Sequence, residues 1–150
     1  MSINICSNSF YRRSGMLKLM IGVKGTGKTK ALINLVNTAV ADSHGDVVCI
    51  EKGEKLRYDV KYQARLINTN EYFVMDAQTL YGFVAGILAS NHDVTDLFID
   101  SALKICNDDM FAFDQFVEKV HALAEKLNVS IVMTASLAVE DASETVKKYI

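Results

Sequence analysis

The sequence predicts a three-layer α/β domain, with helices on both faces of a mainly parallel five-stranded sheet. Short apolar runs recur between longer amphipathic ones, which is the pattern of buried strands joined by crossover helices. The chain has 150 residues, enough for one core of ordinary size and too few for two. Half of the residues are hydrophobic, 23% are charged and proline is absent, so the chain is neither disordered nor a proline-built scaffold.

Residues 1–15, MSINICSNSFYRRSG, are polar and aperiodic and are expected to form a flexible arm or leader ahead of a single domain, residues 16–150. The first strand is expected over Leu17 to Ile21. A helix over Lys28 to Ala41 follows, because Ala31, Leu32, Leu35, Val36, Ala39 and Val40 fall on one face at helical spacing. Asp46 to Ile50 reads as a buried strand and Ala64 to Thr69 as a weaker one, with the charged loop EKGEKLRYD between them. Asp76 suits the cap of a helix reaching Asn91, with Leu80, Phe83, Val84, Ile87 and Leu88 inward. Leu97 to Asp100 is the fourth strand. Asp108 and Asp109 suit the first turn of a helix to Leu127, where carboxylates meet the positive end of the helix dipole, and its stripe is Phe113, Phe116, Val117, Val120 and Leu123. Val129 to Thr134 is the fifth strand, and Ser143 to Ile150 reads as a short terminal helix. Tyr72, Phe73, Tyr81 and Phe83, clustered around the second helix, are expected to pack into the core.

With 16 basic and 18 acidic residues the net charge is −2, which gives no electrostatic reason to bind nucleic acid or an anionic membrane. Cys6, Cys49 and Cys106 are odd in number and lack CxxC spacing, the mark of free thiols rather than of a disulfide framework or zinc site. His44, His92 and His121 are scattered without a partner at metal or triad spacing. No apolar run approaches the ~18 residues of a membrane span, and a cytoplasmic location is expected.

The stretch IGVKGTGKTK carries the chemistry. Gly22, Val23, Lys24, Gly25, Thr26, Gly27, Lys28 and Thr29 satisfy G-x4-G-K-[ST] at every defining position, between a strand and a helix. Glycines let successive N–H groups turn inward around an anion, and the following helix adds its positive end. Lys28 is placed for the β- and γ-phosphates of a nucleoside triphosphate and the Thr29 hydroxyl for Mg²⁺. In DLFIDS three apolar residues deliver Asp100 to a strand tip, where a carboxylate steadies the metal. Glu51 closes the strand DVVCIE and is the candidate for orienting or deprotonating water, with Glu54 as the alternative. Ser101 occupies the position next to Asp100 where many ATPases carry a glutamate, so such a base has to come from elsewhere.

Together GVKGTGKT, VVCIE, ARLINT, LFIDS and VSIVMTAS resemble the core of RecA/KaiC-type P-loop ATPases over residues 17–137, and short bacterial ATP-binding proteins of the same kind. The resemblance implies a RecA-like three-layer fold, with the fifth strand inserted between the phosphate-loop strand and the Asp100 strand. It also implies ATP and Mg²⁺ as ligands, a catalytic glutamate at Glu51 or Glu54, and a metal aspartate at Asp100 followed by Ser101. The chain departs from that family in that only a few residues separate Thr134 from the terminal helix, whereas recombinases carry DNA-binding loops after the last two core strands. The polar sensor has no equivalent unless Thr134 or Ser136 serves. For a basic finger, borrowed in many members from a neighbouring subunit, only Arg57, Arg65, Lys147 and Lys148 are candidates. No N-K-x-D base reader marks a GTPase. The expected function is slow ATP hydrolysis, with an ATP-gated interaction module as the alternative. A kinase using EKGEKLRYD to hold its acceptor is a third reading. Self-association or an unidentified protein partner is compatible with all three.

Overall fold

The structure is a computed structural model that describes residues 15–150. The expected N-terminal arm lies outside the described residues except for Gly15. The elements run β1 (Leu17–Gly22), α1 (Lys28–Asp42), β2 (Asp46–Glu51), β3 (Arg65–Asn68), a 3-10 turn (Thr69–Tyr72), α2 (Ala77–Ser90), β4 (Val94–Ile99), α3 (Ala102–Ile105), α4 (Met110–Leu127), β5 (Ser130–Ser136), a second 3-10 turn (Val139–Asp141) and α5 (Glu144–Lys147).

All four strand pairings are parallel and the order is β1-β5-β4-β2-β3. β5 therefore lies between β1 and β4, the position that the resemblance implies. The order explains the layers. The step from β1 to β2 runs one way across the sheet, whereas β3 to β4 and β4 to β5 run back. Right-handed crossovers then put α1 on one face and α2 and α4 on the other. Leu32, Val36 and Ala39 of α1 pack with Met20, Cys49, Phe98 and Val132, while α2 and α4 cover Leu19, Ile50, Leu97, Ile99 and Met133. Alternate strand residues thus enter opposite cores, which is why the strands read as unbroken apolar runs.

The β2-to-β3 connection runs in the same direction as β1 to β2, and it lies on the α1 face. Residues 52–64 form no helix there, yet Leu56, Val60 and Ala64 are buried in the α1-face core.

Local signals set the helix ends. Asp76 accepts from the Thr79 N–H at 2.8 Å in a reciprocal capping box that starts α2. Asp109 accepts from the Ala112 N–H at 3.1 Å as the cap that starts α4, so Asp108 and Asp109 both stand before the first turn rather than in it. Other expectations also differ from the structure: β4 starts earlier than Leu97, at Val94, and ends at Ile99, so Asp100 follows the strand. β5 extends to Ser136. The terminal helix is shorter than Ser143 to Ile150, because the chain leaves it to lie along β1, where the Leu19 N–H donates to the Tyr149 carbonyl at 2.8 Å. Tyr72 and Phe73 are exposed, Phe73 standing at the left-handed end of the first 3-10 turn with φ of 56°, so only Tyr81 and Phe83 pack against the core. Among the described residues, no helix is long and apolar enough to cross a membrane.

Candidate functional site

The carboxyl end of a parallel sheet, where successive connections leave toward opposite faces, is the place where such folds leave a crevice. Here the connection after β1 leads to α1 and the chain after β4 leads to α4 on the far face. Residues 22–29 turn between β1 and α1. A Cβ on Gly22 would stand 2.8 Å from Thr26 Oγ1, which only glycine avoids. Gly25 and Gly27 have φ of 88° and 84°, backbone angles that other residues rarely adopt. The Thr26 hydroxyl donates to the Val23 carbonyl at 2.8 Å, and the Lys28 ammonium donates to the same carbonyl at 3.0 Å. No acidic side chain occupies the first turn of α1, so its positive end is not neutralised from within. Burial holds the Lys28 ammonium below the usual lysine range, and the Asp100 carboxylate opposes that effect.

Asp100 leaves β4 with its N–H bonded to the Ile50 carbonyl at 2.9 Å, which fixes its backbone against β2. Its carboxylate accepts from the Thr134 hydroxyl of β5 at 2.7 Å and from the Thr29 hydroxyl of α1 at 3.2 Å. The Thr134 oxygen in turn accepts from the Ser101 N–H at 2.7 Å. Three elements far apart in sequence thus bring two hydroxyls to one buried carboxylate, the oxygen chemistry that suits a hard divalent cation. Among the described residues, no group of three or more His, Cys, Asp or Glu is assembled. Thr29 and Asp100 are the oxygens here that could contribute to a divalent-cation site, the remaining positions of which would be left to water or ligand oxygens.

Glu51 closes β2 and is 2% exposed. Its carboxylate accepts from the Lys55 N–H at 2.9 Å and from the Leu56 N–H at 3.2 Å. Burial raises its pKa above the ordinary glutamate range. The Leu56 and Lys55 N–H groups pull it down, and the Asp100 and Glu54 charges push it further up. Glu51 and Glu54 line a groove of about 390 Å³ beside β3, not the cleft at the glycine loop of residues 22–29. That cleft, of about 540 Å³, is formed by the loop with Asp100, Ser101, Thr134 and Ser136.

Sequence reasoning brought Lys24, Lys28, Thr29 and Asp100 to this cleft, and the structure does the same. It did not anticipate Lys52, Lys55 and Lys104 there. Lys104 had a signal, since it stands one helical turn beyond Asp100, whereas Lys52 and Lys55 fell in a loop whose path the pattern did not define. Of the basic finger candidates, Arg57 and Arg65 line the β3 groove. Lys147 pairs with Glu144 at 3.3 Å and Lys148 with Glu118 at 3.0 Å, and Lys148 stands near the amino end of β1. None of the four lines the cleft of its own chain. Compared with models of protein families the chain matches none, and comparison with curated proteins gives no match.

Proposed function

We propose that this chain is a P-loop ATP-binding protein of RecA-like type and a slow Mg²⁺-dependent ATPase. The observation that carries the reading is the meeting of Thr29, Asp100 and Thr134 beside a glycine loop that holds Lys28 and opens onto a lysine-lined cleft. Lys28 would exchange its bond to the Val23 carbonyl for phosphate oxygens. The N–H groups of residues 25–29 and the start of α1 would cradle the phosphates, with Thr29 and Asp100 on the metal. The chemistry that Mg²⁺ would supply there is neutralisation of phosphate charge. Thr134, hydrogen-bonded to Asp100, ties the carboxylate to β5, so the orientation of the metal aspartate depends on the neighbouring strand.

Glu51 keeps its expected place as water-orienting base only if its carboxylate parts from Lys55 and Leu56. This observation also favours a second reading, in which the protein binds ATP and changes the shape of residues 52–64 for a partner without turnover. No basic finger candidate reaches the cleft in cis, and where such a group acts it contributes about 10³ to 10⁵ in rate, so on the first reading the isolated chain is a slow catalyst and on the second it is none. The kinase reading is the weaker one, because the strand between β1 and β4 is the arrangement that favours the RecA-like alternative.

Phosphate release from ATP·Mg²⁺, measured over a range of protein concentrations with Lys28→Ala as control, tests the proposal. A Lys28-dependent rate per molecule that rises with concentration supports an ATPase completed by a second copy. A Lys28-dependent rate that stays constant supports one that works alone. Nucleotide binding without any Lys28-dependent release supports the switch, and absence of binding overturns both.

A further inference from the structure

We infer that Lys52 and Lys55 are the γ-phosphate contacts of this cleft, supplied in cis, and that Glu51 is the positioning residue that holds them there. The inference rests on the nucleotide reading above. It starts from the charge around the cleft, where Lys24, Lys28, Lys52, Lys55 and Lys104 face Asp100 and Asp108 in a chain whose net charge is −2. Such an excess of cations suits a polyanion. Lys28 and the loop backbone account for only one wall of the cleft, and Lys52 and Lys55 come from the connection that follows β2.

This connection is built rather than loose. The Glu51 carboxylate accepts from the backbone N–H of Lys55, the residue whose side chain lines the cleft. Leu56, next in sequence, is 1% exposed in the α1-face core. The Gly53 N–H donates to the Asn68 side chain at 2.8 Å, with a φ of 101° at Gly53. From α1, the Asn37 side chain donates to the Asp59 carbonyl and accepts from the Lys61 N–H, each at 2.9 Å. The backbone bearing Lys52 and Lys55 is therefore anchored from β2, β3 and α1, with two flexible ammonium arms left free to follow a ligand. A terminal phosphate bridging Lys28 on one wall and Lys55 on the other would join the phosphate loop to residues 52–64. A diphosphate, one group shorter, would leave that contact unmade. Because one carboxylate fixes the loop, the residue expected to act on water acts instead through Lys55.

The experiment is calorimetric titration of the full chain with the non-hydrolysable triphosphate AMPPNP and with ADP, each with Mg²⁺. Loss of a charge-assisted phosphate contact predicts that Lys55→Ala weakens AMPPNP by about tenfold and ADP by less than about twofold, with Lys52→Ala in the same direction. Glu51→Ala should reproduce the loss of discrimination. Glu51→Gln should retain it, since the amide oxygen still accepts from the Lys55 N–H. Trypsin cleavage after Lys52, Lys55, Arg57 and Lys61 should be slowed by AMPPNP more than by ADP in the wild-type protein. Equal losses for both nucleotides in Lys55→Ala and Lys52→Ala, or no loss for either, would overturn the inference while leaving nucleotide binding intact. Discrimination that survives Glu51→Ala would remove Glu51 from it. A wild-type protein that binds neither nucleotide, or a Lys28→Ala variant that binds both as well as wild type, would overturn the underlying reading and the inference with it.

Discussion

The two faces of the sheet are covered in different ways. One carries α2 and α4, two full helices whose inward residues Leu80, Val84, Leu88, Phe113, Phe116 and Val120 pack on the strands and are all buried. The other carries a single full helix, α1, and where a second would stand the chain lays residues 52–64, buried through Leu56, Val60 and Ala64. A helix satisfies its own backbone groups, but this connection must borrow partners from Glu51, Asn68 and Asn37. The thin face is thus the one whose cover can change without dismantling a helix, and it is the face from which Lys52 and Lys55 reach the cleft.

The largest expected effect tests the thick face. Phe113→Ala should cost about 3–5 kcal/mol, by lost burial and the cavity left behind, and unfolding should stay a single transition in which strand and loop amides lose protection together. Calorimetry combined with hydrogen exchange reads both quantities. A loop that opened long before the strands in this variant would mean that the thick face does not support the cover of the thin one.

Leu56→Ala probes the thin face with a smaller loss, about 2 kcal/mol, at the low end for a buried leucine because an irregular segment can collapse into the space. Here the amides of residues 52–64 should exchange faster while those of β4 and β5 keep their protection. Should β4 and β5 lose protection as much as the loop, the two faces would be one cooperative unit and the contrast between them would fail.

The smallest effect is a pH dependence. Burial raises the Glu51 carboxyl above the ordinary glutamate range. A carboxyl raised in the folded state contributes stability that is fully present below its unfolded pKa and is lost as pH rises through its folded value. Glu51→Gln removes that dependence, so the stability of wild type relative to the variant should fall as pH rises above the ordinary glutamate range. Urea midpoints at several pH values measure it. A difference independent of pH would mean that Glu51 is as well solvated or paired as an exposed glutamate.

The long helices were legible because their apolar stripes keep a 3.6-residue period over three or more turns, and Asp76 and Asp109 announce their starts in the sequence itself. The ends were less so: the terminal helix stops early because Tyr149 finds a backbone partner on β1, a contact that no local pattern encodes. Residues 52–64 looked like a charged surface loop. Leu56, Val60 and Ala64 recur every four residues, a signal that one face of this segment is buried, but the intervening charges and Gly53 masked it.

Of the candidate site, the sequence by itself determined the glycine loop with Lys28 and Thr29, since those features depend on backbone angles and on side chains a few residues apart. It also determined that Glu51 ends a strand and that Asp100 stands at the tip of one, because three or more apolar residues lead into each. Tertiary structure alone decided that Thr134 bonds Asp100, because β5 comes to lie beside β4 only through the strand order and its register. It decided as well that Glu51 faces the backbone of its own loop and that Lys52, Lys55 and Lys104 share a cleft with the glycine loop. Such encounters depend on which strands are neighbours and on where each connection crosses the sheet, long-range choices set by the packing of both faces at once.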